Sequence, residues 1–168
     1  MGKNSSIERF YEMFLDQLRS MYSSEEQVIN SMPKMTQSAI SYELKEAFTK
    51  HLEESKKQKE RLKQAFDELG ENAEGASCET MQSLIKECEK VIKKRSPSFV
   101  EDAALIGAVQ KIEHYEMASY TSLKAFAHHL DLKNIEEVVD EILEEKKNAI
   151  KILTSIAESS WVTSSASS

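Results

Sequence analysis

Residues 70–77, Gly-Glu-Asn-Ala-Glu-Gly-Ala-Ser, and residues 95–98, Arg-Ser-Pro-Ser, interrupt a chain whose apolar residues otherwise recur at helical spacing. Gly70 is suited to end a helix, because glycine adopts the left-handed backbone conformation without steric penalty. Ser98 and Glu101 have the spacing of a capping box, which predicts that a new helix begins there. The two interruptions therefore divide the sequence into a front half, a short central segment and a back half.

Helical periodicity predicts two long helices in each half of the chain. In the first of them, Phe10, Phe14 and Leu18 follow one face. Pro33 is expected to kink this helix or to weaken its last turns. The predicted long helices cover about residues 6–38, 42–69, 99–128 and 133–159, and a short helix covers about residues 78–94.

The lengths of the connections predict the topology. Only a few residues join the first long helix to the second and the third to the fourth, so each pair should form an antiparallel hairpin. About 30 residues separate the hairpins, enough to run the length of a bundle and re-enter from the same end. The expected fold is all-α: a ferritin-like four-helix bundle of two antiparallel helical hairpins joined by a long crossover with a short extra helix. We expect a single domain over residues 1–160 and a disordered tail over residues 161–168.

Composition and charge narrow the class of protein. The 168 residues include 4 Gly and 2 Pro and are 30% charged, as expected of one nearly all-helical domain. The formal net charge of −7 argues against nucleic acid as a partner, since nucleic-acid binding needs a basic face. Cys78 and Cys88 fit no metal-ligand spacing and are expected to be reduced structural thiols. A signal peptide and a long apolar run are both missing, which predicts a cytoplasmic protein with no membrane partner.

Several ionisable residues interrupt the apolar stripes of the predicted helices. Glu25 follows Met21 by four residues and precedes Val28 by three, and such spacings share one helical face. The same pattern holds on the other long helices for His51, Glu54, Glu113, Glu116 and Glu145. Taken singly, each glutamate has a simpler interpretation as a side chain that reaches solvent or as half of an ion pair, because Glu is almost never buried unpaired.

These carboxylates lie at one level of the predicted bundle. Glu25 and Glu54 are 15 and 14 residues from the middle of the first turn, and Glu116 and Glu145 are 14 and 15 residues from the middle of the second turn. At 1.5 Å per residue, all four lie about 22 Å from those turns. Counted from the opposite helix ends, Glu54, Glu113 and Glu145 also reach the middle of the bundle.

A cluster of ionised carboxylates at one level requires positive charge, since an unpaired buried carboxylate is strongly destabilising. Protons, Lys or Arg side chains, or metal ions can supply that charge. No Lys or Arg shares the stripes at that level, although Lys111 and Lys146 are near enough to approach from the flanks. Oxygen-rich sets with one imidazole suit iron or manganese, and two divalent ions balance about four carboxylates. The joint pattern therefore favours a metal site.

The residues at this level resemble the ligand set of the ferritin-like di-iron carboxylate proteins. More narrowly, the chain resembles the YciE/YciF-type bacterial stress-associated proteins over about residues 7–158. The matching segments are Tyr22-Ser-Ser-Glu-Glu-Gln27, Ala47-Phe-Thr-Lys-His-Leu-Glu-Glu-Ser55, Ile112-Glu-His-Tyr-Glu-Met-Ala-Ser-Tyr120 and Ile142-Leu-Glu-Glu-Lys146. The resemblance implies iron, as two ions with manganese or zinc as alternatives, and the ligands Glu25, Glu54, Glu113, Glu116 and Glu145.

Two departures from the di-iron pattern leave the number of metal ions open. The usual Glu-x-x-His pairs are missing, because Lys57 follows Glu54 and Asn148 follows Glu145 at the third position. His51 instead precedes Glu54 by three residues. It is either a further ligand or a core histidine that only forms hydrogen bonds.

The resemblance implies a dinuclear-metal protein that has a role in oxidative or general stress and reacts with O₂ or peroxide. Any turnover needs an external reductant, since two cysteines cannot form a four-cysteine iron site. The alternative is a metal-poor structural or interaction bundle that mediates protein association in stress. Its contact surface would be either a face of the first helix or the exposed crossover helix, with the apolar residues Met81, Leu84, Ile85, Val91 and Ile92.

A homodimer is expected under either interpretation. Phe10, Tyr11, Phe14 and Leu15 cover more of the first helix than one core stripe requires. Whether the chain is an enzyme, and which residues would be catalytic, stays open at this point.

Overall fold

The computed structural model describes residues 4–94 and 98–165, with side chains from residue 6 to residue 159. Within these ranges the chain forms five α-helices and no strand. They are α1 Asn4–Ser38, α2 Tyr42–Leu69, α3 Glu79–Lys93, α4 Phe99–His129 and α5 Lys133–Ser165. Every predicted helix is present. α5 continues past its predicted end at Ser159 into the segment for which a disordered tail is predicted, and residues 166–168 lie outside the described residues.

The helices assemble with the predicted ferritin-like topology. α1 packs on α2, and α4 packs on α5, as expected for two hairpins with short connections. α2 also lies against α5 and α1 against α4, which closes the four-helix bundle, while α3 packs across α4 and α1. Pro33 lies inside α1, which continues to Ser38. In the described ranges, none of the helices has an apolar stretch long enough to cross a bilayer.

The two interrupting segments end and begin helices by different means. Gly70 follows α2 with φ 69°, and the Glu71 N–H donates to the Phe66 carbonyl at 3.0 Å, as the predicted C-terminal role of Gly70 requires. Ser98 precedes α4 and accepts the Glu101 N–H through its carbonyl at 2.9 Å. The prediction of a capping box there is wrong, since the Ser98 side chain makes no capping hydrogen bond. Residues 95–97 lie outside the described residues.

A buried carboxylate joins the two hairpins at one end of the bundle. Asp102, in the first turn of α4, accepts the Ile40 N–H at 2.7 Å and the Ser41 N–H at 2.8 Å. Ser41 is the N-cap of α2, so these bonds attach the α1–α2 turn to the start of α4. The contact brings the beginning of the second hairpin to the turn of the first.

The apolar core consists of two clusters with a polar layer between them. One cluster includes Phe48 of α2 and Ile112 of α4, and the other includes Phe66 of α2 and Leu123 of α4. On each long helix, buried polar residues stand between the positions that belong to the two clusters: Glu25, His51, Ser55, Gln58, Glu113, Glu116 and Lys146. This layer occupies the mid-bundle level at which the sequence predicts carboxylates.

The crossover helix α3 covers its own apolar face against the bundle. Met81 and Ile92 are buried, and Leu84, Ile85 and Val91 are partly buried against the same core cluster. The prediction that these residues form an exposed association surface is therefore wrong. An amphipathic helix with this pattern buries its apolar side on the nearest apolar surface, which here is the bundle itself.

The aromatic side chains at the start of α1 are also covered within one chain. Phe14 and Leu15 are buried, and the Phe10 ring packs edge-on against Phe126 with 5.5 Å between the ring centroids. Tyr11 packs against the second core cluster as a partly buried side chain. These residues therefore do not need a partner chain to cover them, and the homodimer stays a prediction.

Candidate metal centre

Five ionisable side chains meet in the polar layer: Glu25 of α1, His51 of α2, Glu113 and Glu116 of α4, and Lys146 of α5. The three glutamates have no solvent exposure, and the lysine and histidine are 1% and 5% exposed. Each stands on the core-facing stripe of its helix, so the periodicity that buries the apolar residues also buries these groups. Four of the six predicted site residues are thus brought together.

Lys146 supplies positive charge inside the layer. Its Nζ lies 3.1 Å from Glu25 Oε1 and 2.9 Å from Glu116 Oε2. Lys146 approaches the carboxylates, as the sequence predicts. The expectation that no Lys or Arg shares the apolar stripes at this level is wrong, because Lys146 itself lies on the core-facing side of α5. Lys111, the other flanking candidate, pairs with Glu87 of α3 at the surface.

Glu25 is held in its ionised form. The Tyr120 hydroxyl donates to Glu25 Oε1 at 2.8 Å, on the side of the carboxylate that faces the second core cluster. Burial by itself raises the pKa of this carboxyl, but the Lys146 charge and the hydrogen bonds outweigh it and hold the pKa below its usual value. Glu25 and Lys146 therefore form a charged pair without solvent.

The pKa of Glu116 is shifted in the opposite direction. Burial and the nearby Glu25 carboxylate raise its pKa well above the usual value, although Lys146 acts in the other direction. Burial lowers the pKa of Lys146, but the Glu116 and Glu25 carboxylates more than reverse this and keep the ammonium charged. Lys146 thus balances the charge of the Glu25 carboxylate, and the Glu116 carboxylate is balanced by a proton or by another cation.

His51, Glu113 and Glu116 form an arrangement that a metal ion fits. One potential ligand atom from each residue lies within 4.8 Å of the others. His51 Nδ1 approaches Glu113 Oε1 to 2.5 Å, yet neither oxygen of Glu113 has an aligned hydrogen bond. His51 Nε2 and both oxygens of Glu116 also have none, although Glu116 Oε2 attracts Lys146 electrostatically. Buried polar atoms without hydrogen bonds are rare, and a bound cation satisfies such a group.

Glu54 borders this group. His51, Glu54 and Glu113 line a small cavity, closed on its other side by apolar residues of α5 that include Ile152. The Glu54 side chain is 23% exposed, and its Oε1 lies 3.6 Å from Lys50 Nζ on the surface of α2.

Glu145 has protein partners at the edge of the layer. Arg61 Nη2 donates to both carboxylate oxygens at 2.6 and 2.7 Å, and Gln58 Nε2 donates to Oε2 at 2.7 Å. Sequence reasoning missed both partners. Gln58 lies seven residues after His51, and Arg61 lies seven residues after Glu54, so the same periodicity contained the signal. The structure does not bring Glu145 into contact with His51 and Glu113.

Comparison with known proteins identifies the family. Residues 9–166 match the family described as Domain of unknown function (DUF892). Protein YciF of Escherichia coli (strain K12) is 36% identical over 147 residues, which cover 87% of this chain and 89% of that protein.

Solved structures share the fold. The crystal structure of the E. coli stress protein YciF matches with a TM-score of 0.85 and 36% identity, covering 88% of this chain and 94% of that chain. YcfI of Rhodopseudomonas palustris, provisionally described as a structural protein, matches with a TM-score of 0.84 and 36% identity, covering 86% and 92%. A Xanthomonas campestris pv. campestris protein at 20% identity, with a TM-score of 0.73 over 92% and 94% of the chains, supports the fold alone. The chain therefore belongs to the DUF892 family and is a homologue of the E. coli stress protein YciF, as its sequence resemblance predicts.

Proposed function

We propose that this DUF892 protein binds iron in its polar layer and acts in the response to oxidative or general stress. The observation that carries the metal is the group of His51, Glu113 and Glu116, in which His51 Nε2 and the carboxylate oxygens make no aligned hydrogen bond. The role in stress rests on the similarity to YciF, which is described as a stress protein.

The donor set favours a transition metal. Two carboxylates and one imidazole are ligands that suit iron, with manganese and zinc as alternatives. Glu54 is near enough to the same cavity to serve as a further ligand after a side-chain rotation. A metal ion also removes the electrostatic conflict around Glu116, because it balances that carboxylate in place of a proton.

Bound iron would supply Lewis-acid and redox chemistry toward O₂ or peroxide. The chain itself does three things. His51, Glu113 and Glu116 hold the ion, Tyr120 and Lys146 fix the Glu25 carboxylate beside it, and the two apolar clusters exclude bulk water. Continued turnover requires an external reductant, because Cys78 and Cys88 are the only cysteines in the sequence.

Elemental analysis after anaerobic loading with Fe²⁺ tests this proposal. The wild type should retain iron, and His51→Ala and Glu113→Gln should lose most of it. Glu53→Gln is the matched control, because Glu53 is a neighbouring exposed glutamate that pairs with Lys56 at the surface. Absence of iron from the folded wild type would contradict the proposed metal site.

Addition of peroxide to the reduced, loaded protein tests the redox part separately. We expect peroxide consumption and an optical change in the wild type and in Glu53→Gln, but not in Glu113→Gln. Iron retention without peroxide consumption would contradict the redox role and would favour metal sequestration instead.

A structural role in protein association is the second candidate function. It is favoured by the description of YcfI and by exposed apolar side chains at one end of the bundle: Ile40, Tyr42, Phe99 and Val100. Asp102 holds the two segments that carry these side chains together at this end of the bundle. We propose a homodimer under either function, and sedimentation velocity at micromolar concentration tests it. A monomer would contradict the homodimer.

A further inference from the structure

We infer that the Lys146 ammonium occupies the place of a second metal ion, so that the polar layer binds one divalent ion rather than two. This inference rests on the proposed metal site and concerns its stoichiometry. It assigns Lys146 the role of a built-in cation within a carboxylate cluster.

The position of the Lys146 ammonium is the first observation that supports this inference. Lys146 Nζ lies between carboxylates of two helices, 3.1 Å from Glu25 Oε1 on α1 and 2.9 Å from Glu116 Oε2 on α4. Glu116 also belongs to the three-residue group with His51 and Glu113. One carboxylate therefore faces the ammonium and the candidate metal position at once, which is the arrangement of a carboxylate that bridges two cations.

The balance of buried charges in the polar layer is the second observation that supports this inference. Glu25, Glu113 and Glu116 contribute three negative charges when ionised, and Lys146 contributes one positive charge. One divalent ion then makes the layer neutral. A second divalent ion would leave two uncompensated positive charges in a region without solvent, which is strongly unfavourable.

The remaining glutamates near the layer do not change this balance. Glu145 is neutralised by Arg61, whose Nη2 contacts both of its oxygens. Glu54 is partly exposed and pairs with Lys50 at the rim in this structure, so it is not one of the buried charges counted here. A second metal ion would therefore have to displace Lys146 and take Glu25 and Glu116 as its ligands.

The deciding experiment reverses the charge at this position. Lys146→Glu removes the internal cation and adds a carboxylate at the same place. Lys147→Glu makes the identical change at the next residue, where the wild-type side chain forms only a surface pair with Glu144. Each protein is titrated anaerobically with Fe²⁺, and separately with Mn²⁺, and the bound metal per chain is measured by elemental analysis. Circular dichroism verifies folding.

We expect about one ion per chain in the wild type and in Lys147→Glu, and about two ions in Lys146→Glu. Two ions in the wild type, or one ion in a folded Lys146→Glu, would overturn the inference and leave the proposed metal site intact. No ion in the wild type would overturn the proposed function itself, so the two failures are distinguishable.

Lys146→Gln provides a second test if Lys146→Glu does not fold. Glutamine keeps a long side chain with hydrogen-bond donors but removes the positive charge next to the metal position. We expect the first Mn²⁺ to bind at least about tenfold more tightly than in the wild type, because repulsion between the ammonium and the ion is lost. An unchanged affinity would contradict the placement of Lys146 as a competing cation.

Discussion

Arg61 Nη2 lies 2.6 Å from Oε2 and 2.7 Å from Oε1 of Glu145, and this ion pair joins α2 to α5 at the edge of the polar layer. Gln58 donates a further hydrogen bond to the same carboxylate. Protein groups therefore satisfy both the charge and the oxygens of Glu145, whereas neither oxygen of Glu113 has an aligned hydrogen bond. Substitution of Glu145 and substitution of Glu113 should therefore have different effects on the amount of bound iron.

Glu145→Gln should retain nearly all of the bound iron, because Glu145 has no part in the group around His51. Glu113→Gln should lose iron, since it removes a charged ligand atom. Metal content of the two purified variants, measured after identical loading, checks the difference. Equal loss in both variants would support the five-glutamate ligand set implied by the sequence resemblance.

Lys146→Met should destabilise the metal-free protein by about 3–5 kcal/mol near neutral pH, because it leaves Glu25 buried without a counter-charge. In the wild type the pKa of Glu25 lies below its usual value of 4.5, so its ionisation stabilises the fold above that pH and the contribution is lost as pH falls. In the variant the pKa of Glu25 should rise above that value. The native variant then retains a proton that the wild type has released.

The stability difference between Lys146→Met and the wild type should therefore grow with increasing pH, by roughly 1.4 kcal/mol per pH unit while Glu25 stays protonated in the variant. Urea denaturation in the presence of a chelator, at several values between pH 5 and pH 8, measures this slope. A difference that does not depend on pH would argue against an ionised Glu25 in the wild type.

Tyr120→Phe should lower the free energy of unfolding by about 1.5–3 kcal/mol, because it removes a buried hydrogen bond to the charged Glu25. Tyr42→Phe is a suitable control, since the Tyr42 hydroxyl contacts Glu46 on an exposed part of α2. That control should change stability by less than about 0.5 kcal/mol. Chemical denaturation measures the free energy of unfolding of both variants. Equal losses would contradict a stabilising hydrogen bond between Tyr120 and the charged Glu25.

Asp102→Ala should destabilise the fold by about 2–3 kcal/mol, because the Ile40 and Ser41 N–H groups lose a charged acceptor. Asp102→Asn should have a smaller effect, since the amide keeps one acceptor oxygen in the same place. Thermal or urea unfolding distinguishes the two variants. If Asp102→Ala were neutral, the attachment of the α1–α2 turn to α4 would not contribute to stability.

Cys88 should resist alkylation in the native protein. Burial, together with the nearby Glu87 carboxylate, raises the pKa of its thiol to about 12, so very little reactive thiolate is present at pH 8. Mass spectrometry after iodoacetamide treatment should show slow modification in buffer and fast modification in concentrated urea. Similar rates in both conditions would place Cys88 at an accessible surface.

The presence of all five helices and the bounds of α2 follow from the sequence, because they depend on local features, whereas α5 extends beyond its predicted end. Periodicity and a terminal glycine place α2 at Tyr42–Leu69, and the short connections together with the long crossover predict the pairing of the hairpins. The capping box at Ser98 is not formed, because the residue spacing that predicts it does not fix the orientation of the Ser98 side chain.

The burial of Glu25, Glu113 and Glu116 also follows from the sequence, since each occupies a position on an apolar stripe. The same rule predicts the burial of Glu54 and Glu145, which are only partly buried. Their partners do not follow from it. Lys146 and Glu145 are adjacent residues about 100° apart around α5, so the rotation of α5 about its own axis decides which one faces the core. Packing of α5 against α2 and α4 fixes that rotation.

Sequence periodicity thus determines that carboxylates lie at the middle of this bundle, because spacing along one helix is a local property. Tertiary packing determines how their charge is balanced: a lysine within the layer, an arginine at its edge, and an open group of His51, Glu113 and Glu116. The physical reason is that Coulomb and hydrogen-bond energies depend on distances of a few ångströms between different helices. Those distances are set only when the four helices pack.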